Sequence, residues 1–138
     1  MDLELGGLVP QDRLTSKYVK DMKDQPESQS PIACDMSVLS PDQRATHMAT
    51  SRELFALLEE IRELADGYEF RLAEDPCAIS RAAEFISLEK LCCPFLHFAL
   101  EIKPEGGPVS LRLRGREGVK AFIREEISGL RGNAIDWR

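Results

Sequence analysis

Apolar residues recur along the chain with two periods, and the changes of period mark its elements. After Ser40-Pro41-Asp42-Gln43, a helical stripe of Leu54, Leu58, Ile61 and Ala65, widened by Phe55, Leu57 and Leu64, predicts a helix over residues 41–65 that stops before Gly67. Ser40 can cap it, Pro41 suits its first position, and Gln43 completes a capping box. A second capping box, Thr50-x-x-Glu53, leaves open a division into two helices. Tyr68, Phe70 and Leu72 alternate with Glu69 and Arg71, the period of a half-buried strand.

Asp75-Pro76 opens a second helix that runs to Cys92 or Cys93, because Pro94 turns Cys93 away from helical geometry. A strand follows with Leu96, Phe98, Leu100 and Ile102 on one face. Pro104-Glu105-Gly106-Gly107-Pro108 turns the chain into a partner strand carrying Val109, Leu111 and Leu113. Gly115 precedes a last helix with Val119, Phe122, Ile123 and Ile127. The order α-β-α-β-β-α predicts an α+β fold, a small, mainly antiparallel sheet packed with helices.

Residues 1–31 have weak periodicity and end in a polar, proline-containing stretch, Gln25-Pro26-Glu27-Ser28-Gln29-Ser30-Pro31. They read as an arm and linker, with room for a short helix near residues 14–22, ahead of a single domain over 32–138 with a short C-terminal tail. Composition changes this picture little: 43% hydrophobic and 30% charged residues are ordinary for a soluble chain of 138 residues. The net charge of −6 argues against direct nucleic-acid binding, and Arg112, Arg114, Arg116 and Lys120 are interleaved with other residue types. No apolar run reaches the ~20 residues that span a bilayer. The acidic start, Met1-Asp2-Leu3-Glu4-Leu5, does not follow a signal-peptide plan, so no membrane partner is expected and a cytoplasmic location is the default.

The chemistry centres on Cys92 and Cys93, with Glu89 one turn earlier. On the second helix Ala78, Ile79, Ala82, Phe85 and Ile86 form the inward side, and Glu89 projects into the middle of that set. A carboxylate there needs a donor, a cation, a metal or a proton. It could equally bend to solvent at the helix end. The two cysteines could simply finish a packed helix, since buried thiols behave as small hydrophobes. A helix C-terminus next to Glu89 disfavours a thiolate, whereas a bound cation would deprotonate the thiols, which makes the pair better metal ligands than bare nucleophiles.

Cys34 and His47 are the candidates to complete such a site. If metal is bound, the Cys34 sulfur should come within roughly 6 Å of the pair, given metal–thiolate bonds of about 2.3 Å. His47 continues the first helix's inward stripe, where a hydrogen-bonded core histidine is the commoner outcome. His97 falls on the opposite side of its strand from Leu96 and Phe98, and Cys77 lies away from the inward face. Paired zinc-ligand spacings, a glycine-rich phosphate loop and a nucleophile elbow are all missing from the sequence, so no nucleotide cofactor is expected.

Several segments together carry a resemblance. They are Ile32-Ala33-Cys34-Asp35 before Leu39-Ser40-Pro41, Asp66-Gly67-Tyr68-Glu69-Phe70-Arg71, Glu84-Phe85-Ile86-Ser87-Leu88-Glu89-Lys90-Leu91-Cys92-Cys93-Pro94-Phe95, and Gly107-Pro108-Val109 onward to Gly118. Over residues 32–127 the chain resembles a family of small bacterial proteins with a Glu-x-x-Cys-Cys-Pro-Phe signature. It is also similar to a segment behind the DNA-binding part of some MerR-type regulators. The resemblance implies that Cys34, Glu89, Cys92 and Cys93 act together, and it points to ligand sensing without the helix-turn-helix.

The leading expectation is a cytosolic domain that binds or senses a soft metal or metalloid, zinc among the candidates, through Cys34, Cys92, Cys93 and Glu89, with His47 as a weaker ligand. One rival is a small thiol enzyme in which Cys92 or Cys93 attacks or carries electrons, Glu89 moves the proton, and the partner is a small thiol-reactive ligand. The other is an interaction module with no chemistry. Oligomeric state stays open, a homodimer included.

Overall fold

The computed structural model describes residues 29–131 and 137. After a single 3-10 turn at Met36–Val38 come helix α1 (Pro41–Phe55), strands β1 (Leu58–Leu64) and β2 (Gly67–Leu72), helix α2 (Ala78–Cys92), strands β3 (His97–Ile102) and β4 (Val109–Arg114), and helix α3 (Val119–Arg131). The fold is α+β, as expected, with all four strands antiparallel in the order β1-β2-β4-β3. The arm expected over residues 1–31 lies outside the described residues except for 29–31. None of the helices described is long and apolar enough to cross a membrane.

The start of α1 follows its local chemistry. Ser40 Oγ accepts from the Gln43 amide at 3.1 Å, and the Ser40 amide donates to Gln43 Oε1 at 2.9 Å. Its end differs from the expectation. The helix stops at Phe55, and the residues expected to continue it form β1, which adds a strand to the predicted order. The cause is an irregularity in the β1–β2 ladder. Leu58 pairs with Leu72, Glu60 with Arg71 and Ile61 with Phe70, so one extra residue is accommodated between Leu58 and Glu60. Leu58 and Ile61, three apart as on a helix face, therefore both stand opposite core-facing residues of β2.

The three helices cover one face of the sheet. Phe55 of α1 meets Phe70 of β2 and Phe85 of α2, each edge-on with ring centroids 5.4 Å apart. Leu54, Phe70, Leu111, Leu113, Val119, Ile123 and Ile127 are fully buried in this layer. Ile102, expected on the inner face of its strand, is 52% exposed at the strand's end. The opposite face carries charge. Arg62 Nη2 donates to Glu69 Oε1 (2.6 Å), Arg112 Nε to the same oxygen (3.0 Å), and Arg112 Nη2 to Glu101 Oε1 (2.8 Å). Each strand thus contributes one member of an alternating ladder, and such partly exposed pairs contribute about 0.2–1 kcal/mol apiece.

β3 and β4 are joined through the expected turn. The Gly107 amide bonds to Pro104 O (3.1 Å) and the Lys103 amide to Pro108 O (3.2 Å), with Glu105 and Gly106 at φ 59° and 71°. α2 begins at Ala78, two residues later than Asp75-Pro76 suggests, with Cys77 at its N-cap and the Asp75 carboxylate accepting the Cys77 amide (2.8 Å).

Candidate metal and thiol centre

α2 buries Ala78, Ala82, Phe85, Glu89 and Cys92 along one stripe. Glu89 is therefore carried inward by the periodicity that buries Phe85, and only 1% of it is exposed. Opposite it, α1 buries His47, Thr50, Ser51 and Leu54. The His47 ring stacks on Phe85 at 5.5 Å, and Nε2 lies 2.7 Å from Glu89 Oε1. With Glu89 ionised, Nε2–H is the donor.

The end of α2 sets the sulfurs. Cys92 completes the helix, while Cys93 leaves it at φ −132°, ψ 67° ahead of Pro94. The Cys93 amide still bonds to Glu89 O at 2.7 Å. The two sulfurs lie 3.9 Å apart, and both residues are fully buried. Cys92 Sγ is also 3.8 Å from Glu89 Oε1. All four cysteines are free.

Cys34 reaches this pair from the far side of the sequence. The amide of the next residue, Asp35, donates to Cys92 O at 3.0 Å, which pins the loop to the end of α2. Asp35 also caps the 3-10 turn, and Arg44 Nη1 of α1 holds Leu39 O at 2.8 Å. The sulfurs of Cys34, Cys92 and Cys93 lie within 4.8 Å of one another, inside the ~6 Å expected. Two overlapping triplets meet the same distance, His47 with Glu89 and Cys92, and Glu89 with Cys93 and Glu126.

Cys77 and His97, both exposed, belong to none of these triplets. Glu126 on α3 was missed. Its position was nonetheless signalled, because 119, 122, 123, 126 and 127 fall on one helical stripe whose other members are apolar.

Electrostatics tie the groups into one unit. Burial alone would lower the His47 pKa, but hydrogen bonds to Cys92 and Glu89 and their negative charges raise it to about 9. Burial pushes Glu89 upward, and the bond from His47, the proton held by Glu126 and the imidazolium charge outweigh it, leaving Glu89 below the usual carboxylate range. Desolvation and the Glu89 charge push Glu126 up to about 10. Its proton supplies the donor that the buried oxygens Glu89 Oε2 and Glu126 Oε1 otherwise lack.

The Cys93 thiol donates toward Cys92; with His47 and Cys34 adding to this against the opposing burial and Glu89 charge, the Cys92 pKa drops to about 5. Cys93 moves well above the ordinary thiol range, through that same bond, burial and the neighbouring carboxylates. Cys34 is exposed as a residue, but desolvation of its sulfur and the Cys92 charge push it up to about 12. The expectation that the helix end and Glu89 disfavour a thiolate meets an opposing neighbour: His47, brought from α1, favours ionisation of Cys92. The mutual shifts favour proton loss at Cys92 and Glu89 and proton retention at Cys34, Cys93, His47 and Glu126.

Chemically, three convergent sulfurs beside an imidazole and a carboxylate suit a soft cation. At a bond length of about 2.3 Å, sulfurs 3.9 Å apart subtend roughly 115° at a shared ion, between tetrahedral and trigonal values. A cleft of about 240 Å³ opens beside the cluster, lined in part by Cys34, His47 and Glu89. Compared with protein-family models, curated proteins and solved structures, the chain shows no match.

Proposed function

We propose that this domain binds a soft metal or metalloid ion through Cys34, Cys92 and Cys93, with Glu89 as a fourth ligand or as the group that orients the site through His47. The observation that carries the reading is the meeting of three free sulfurs, within 4.8 Å, from segments nearly sixty residues apart. Binding replaces thiol protons on Cys34 and Cys93 with the cation, which reverses their raised pKa values. Free thiols of this kind fit a reducing compartment.

Reduced, chelator-treated protein titrated with Zn²⁺, Cd²⁺ and arsenous acid should take up one equivalent, with thiolate charge-transfer absorption for Cd²⁺. Serine at Cys34, Cys92 or Cys93 should weaken uptake severely, and Cys77→Ser should leave it unchanged. Uptake that survives Cys92→Ser and Cys93→Ser would remove the reading.

The thiol-enzyme reading has an observation of its own, the Cys92 sulfur within 4.8 Å of His47, which Glu89 orients, in surroundings that lower the pKa of that thiol. Cys92 is fully buried, however, so an attacked substrate would have to open the site. Rapid alkylation of Cys92 in metal-free protein at neutral pH, far faster than a free thiol, would favour catalysis over binding.

A further inference from the structure

The cleft beside the cysteines is larger than an ion requires. An ion held by thiolates at about 2.3 Å occupies the space among the sulfurs themselves. The cleft offers about 240 Å³ in addition, and an apolar cavity of about 150 Å³ is enough for a benzene ring. Met36, Met48, Phe85 and Leu130 give it an apolar part beside Arg52, Glu89 and Glu126, and Cys34 also lines it. Phe85 and His47, stacked face to face with 26° between their planes, both border the cleft with the little of them that is exposed. Met36 and Met48 supply adaptable thioether walls, and 38% of Met48 is exposed.

We infer that this cleft receives an organic substituent, so that the preferred ligand is a trivalent metalloid or soft metal carrying one aryl or alkyl group. The inference rests on the thiol-site reading above. The group sits in the cleft among Met36, Met48 and Leu130 while the metalloid bonds to Cys34 and one of the buried pair. For a phenyl-substituted arsenic(III), two As–O bonds break and two As–S bonds form. Each departing hydroxide leaves as water with a proton from a thiol or, where the thiol is already ionised, from solvent. Arsenic stays trivalent, and nothing is oxidised or reduced.

Gly129 on α3 makes a sharp test possible. It lines the cleft, and a Cβ built on it meets nothing within 4 Å. Gly129→Trp therefore adds an indole at the cleft's border without a clash at its root, and replacing glycine within a helix favours folding. Wild type, Gly129→Ala and Gly129→Trp would be compared for phenylarsonous acid and for arsenous acid, in competition with dithiothreitol and read by native mass spectrometry. Thermal melts would verify that each variant folds.

Gly129→Trp should weaken the phenyl compound by about tenfold or more, the loss expected when a ring's apolar burial is denied, and shift arsenous acid by less than about twofold. Gly129→Ala should match wild type for both. If arsenous acid binds but Gly129→Trp leaves the phenyl compound unaffected, or weakens both alike, the inference fails while the thiol-site reading stands. If wild type binds neither compound, nor Cd²⁺, both fail.

Discussion

Glu126→Gln should make the protein more stable, although it alters a buried polar group. In the folded protein Glu126 has a pKa of about 10 against 4.5 for an ordinary glutamate. Its folded-state pKa is raised, so above pH 4.5 the folded state holds a proton that the unfolded chain has released. Stability therefore falls as pH rises from 4.5 toward 10. From 4.5 to 7 the span is 2.5 units, and at 1.36 kcal/mol per unit the cost reaches about 3 kcal/mol. Glu126 is only partly buried, and a charged side chain that swings toward solvent would reduce this, which leaves about 1–3 kcal/mol. Glutamine keeps the size and still offers an N–H donor to Glu89, but it needs no proton. In a domain of this size the gain corresponds to about 3–12 °C in Tm. The assay is urea unfolding of reduced, metal-free protein at several values between pH 5 and 9. The gap between variant and wild type should open as pH rises. A variant less stable than wild type at pH 8, or a gap independent of pH, would refute the account of a shared proton between Glu89 and Glu126.

Three further outcomes follow from the geometry. His47→Gln removes the imidazolium beside Cys92, so the ionisation of that thiol, followed by thiolate absorbance, should move up from about 5, and an unchanged titration would show that the neighbouring thiols alone hold it down. Gly67→Ala would place a Cβ 2.0 Å from Leu113 O and 2.7 Å from Arg114 Cα, main-chain atoms of β4 that cannot step aside, and should cost about 3 kcal/mol or abolish soluble expression. Ser40→Ala removes the oxygen that accepts the Gln43 amide and should lower stability by about 1 kcal/mol in chemical denaturation, without altering metal uptake.

Signals that act within one turn of chain were legible before the fold was known. Ser40 and Pro41 start α1, Pro94 ends α2, and the strand period of residues 68–72 survives folding. The inward stripe on α2 placed Glu89, and the need for further sulfur ligands pointed to Cys34. β1 was illegible for a physical reason. Its irregularity against β2 puts Leu58 and Ile61 on one side at helical spacing, and Glu59, Glu60, Arg62 and Glu63 are all compatible with a helix, so only pairing with β2 decides. The positive neighbour of Cys92 was also hidden, because it depends on α1 and α2 meeting at Phe85 and Glu89. Glu126 needed only the stripe argument applied to Glu89.

Among the described residues, the charged ladder across the outer face of the sheet leaves apolar packing on one side only. Among the described residues the strands have no second layer to hold them if the helices lift away, and α2 carries Phe85 into that single layer together with Glu89 and Cys92. Hydrogen exchange should show this directly. The Cys93 amide, bonded to Glu89 O, should exchange only when the whole domain opens, at the same rate limit as the central amides of β2 and β4. A ligand on the cysteines would then slow exchange in those distant strands as much as beside itself, because it stabilises the one cooperative unit to which both belong.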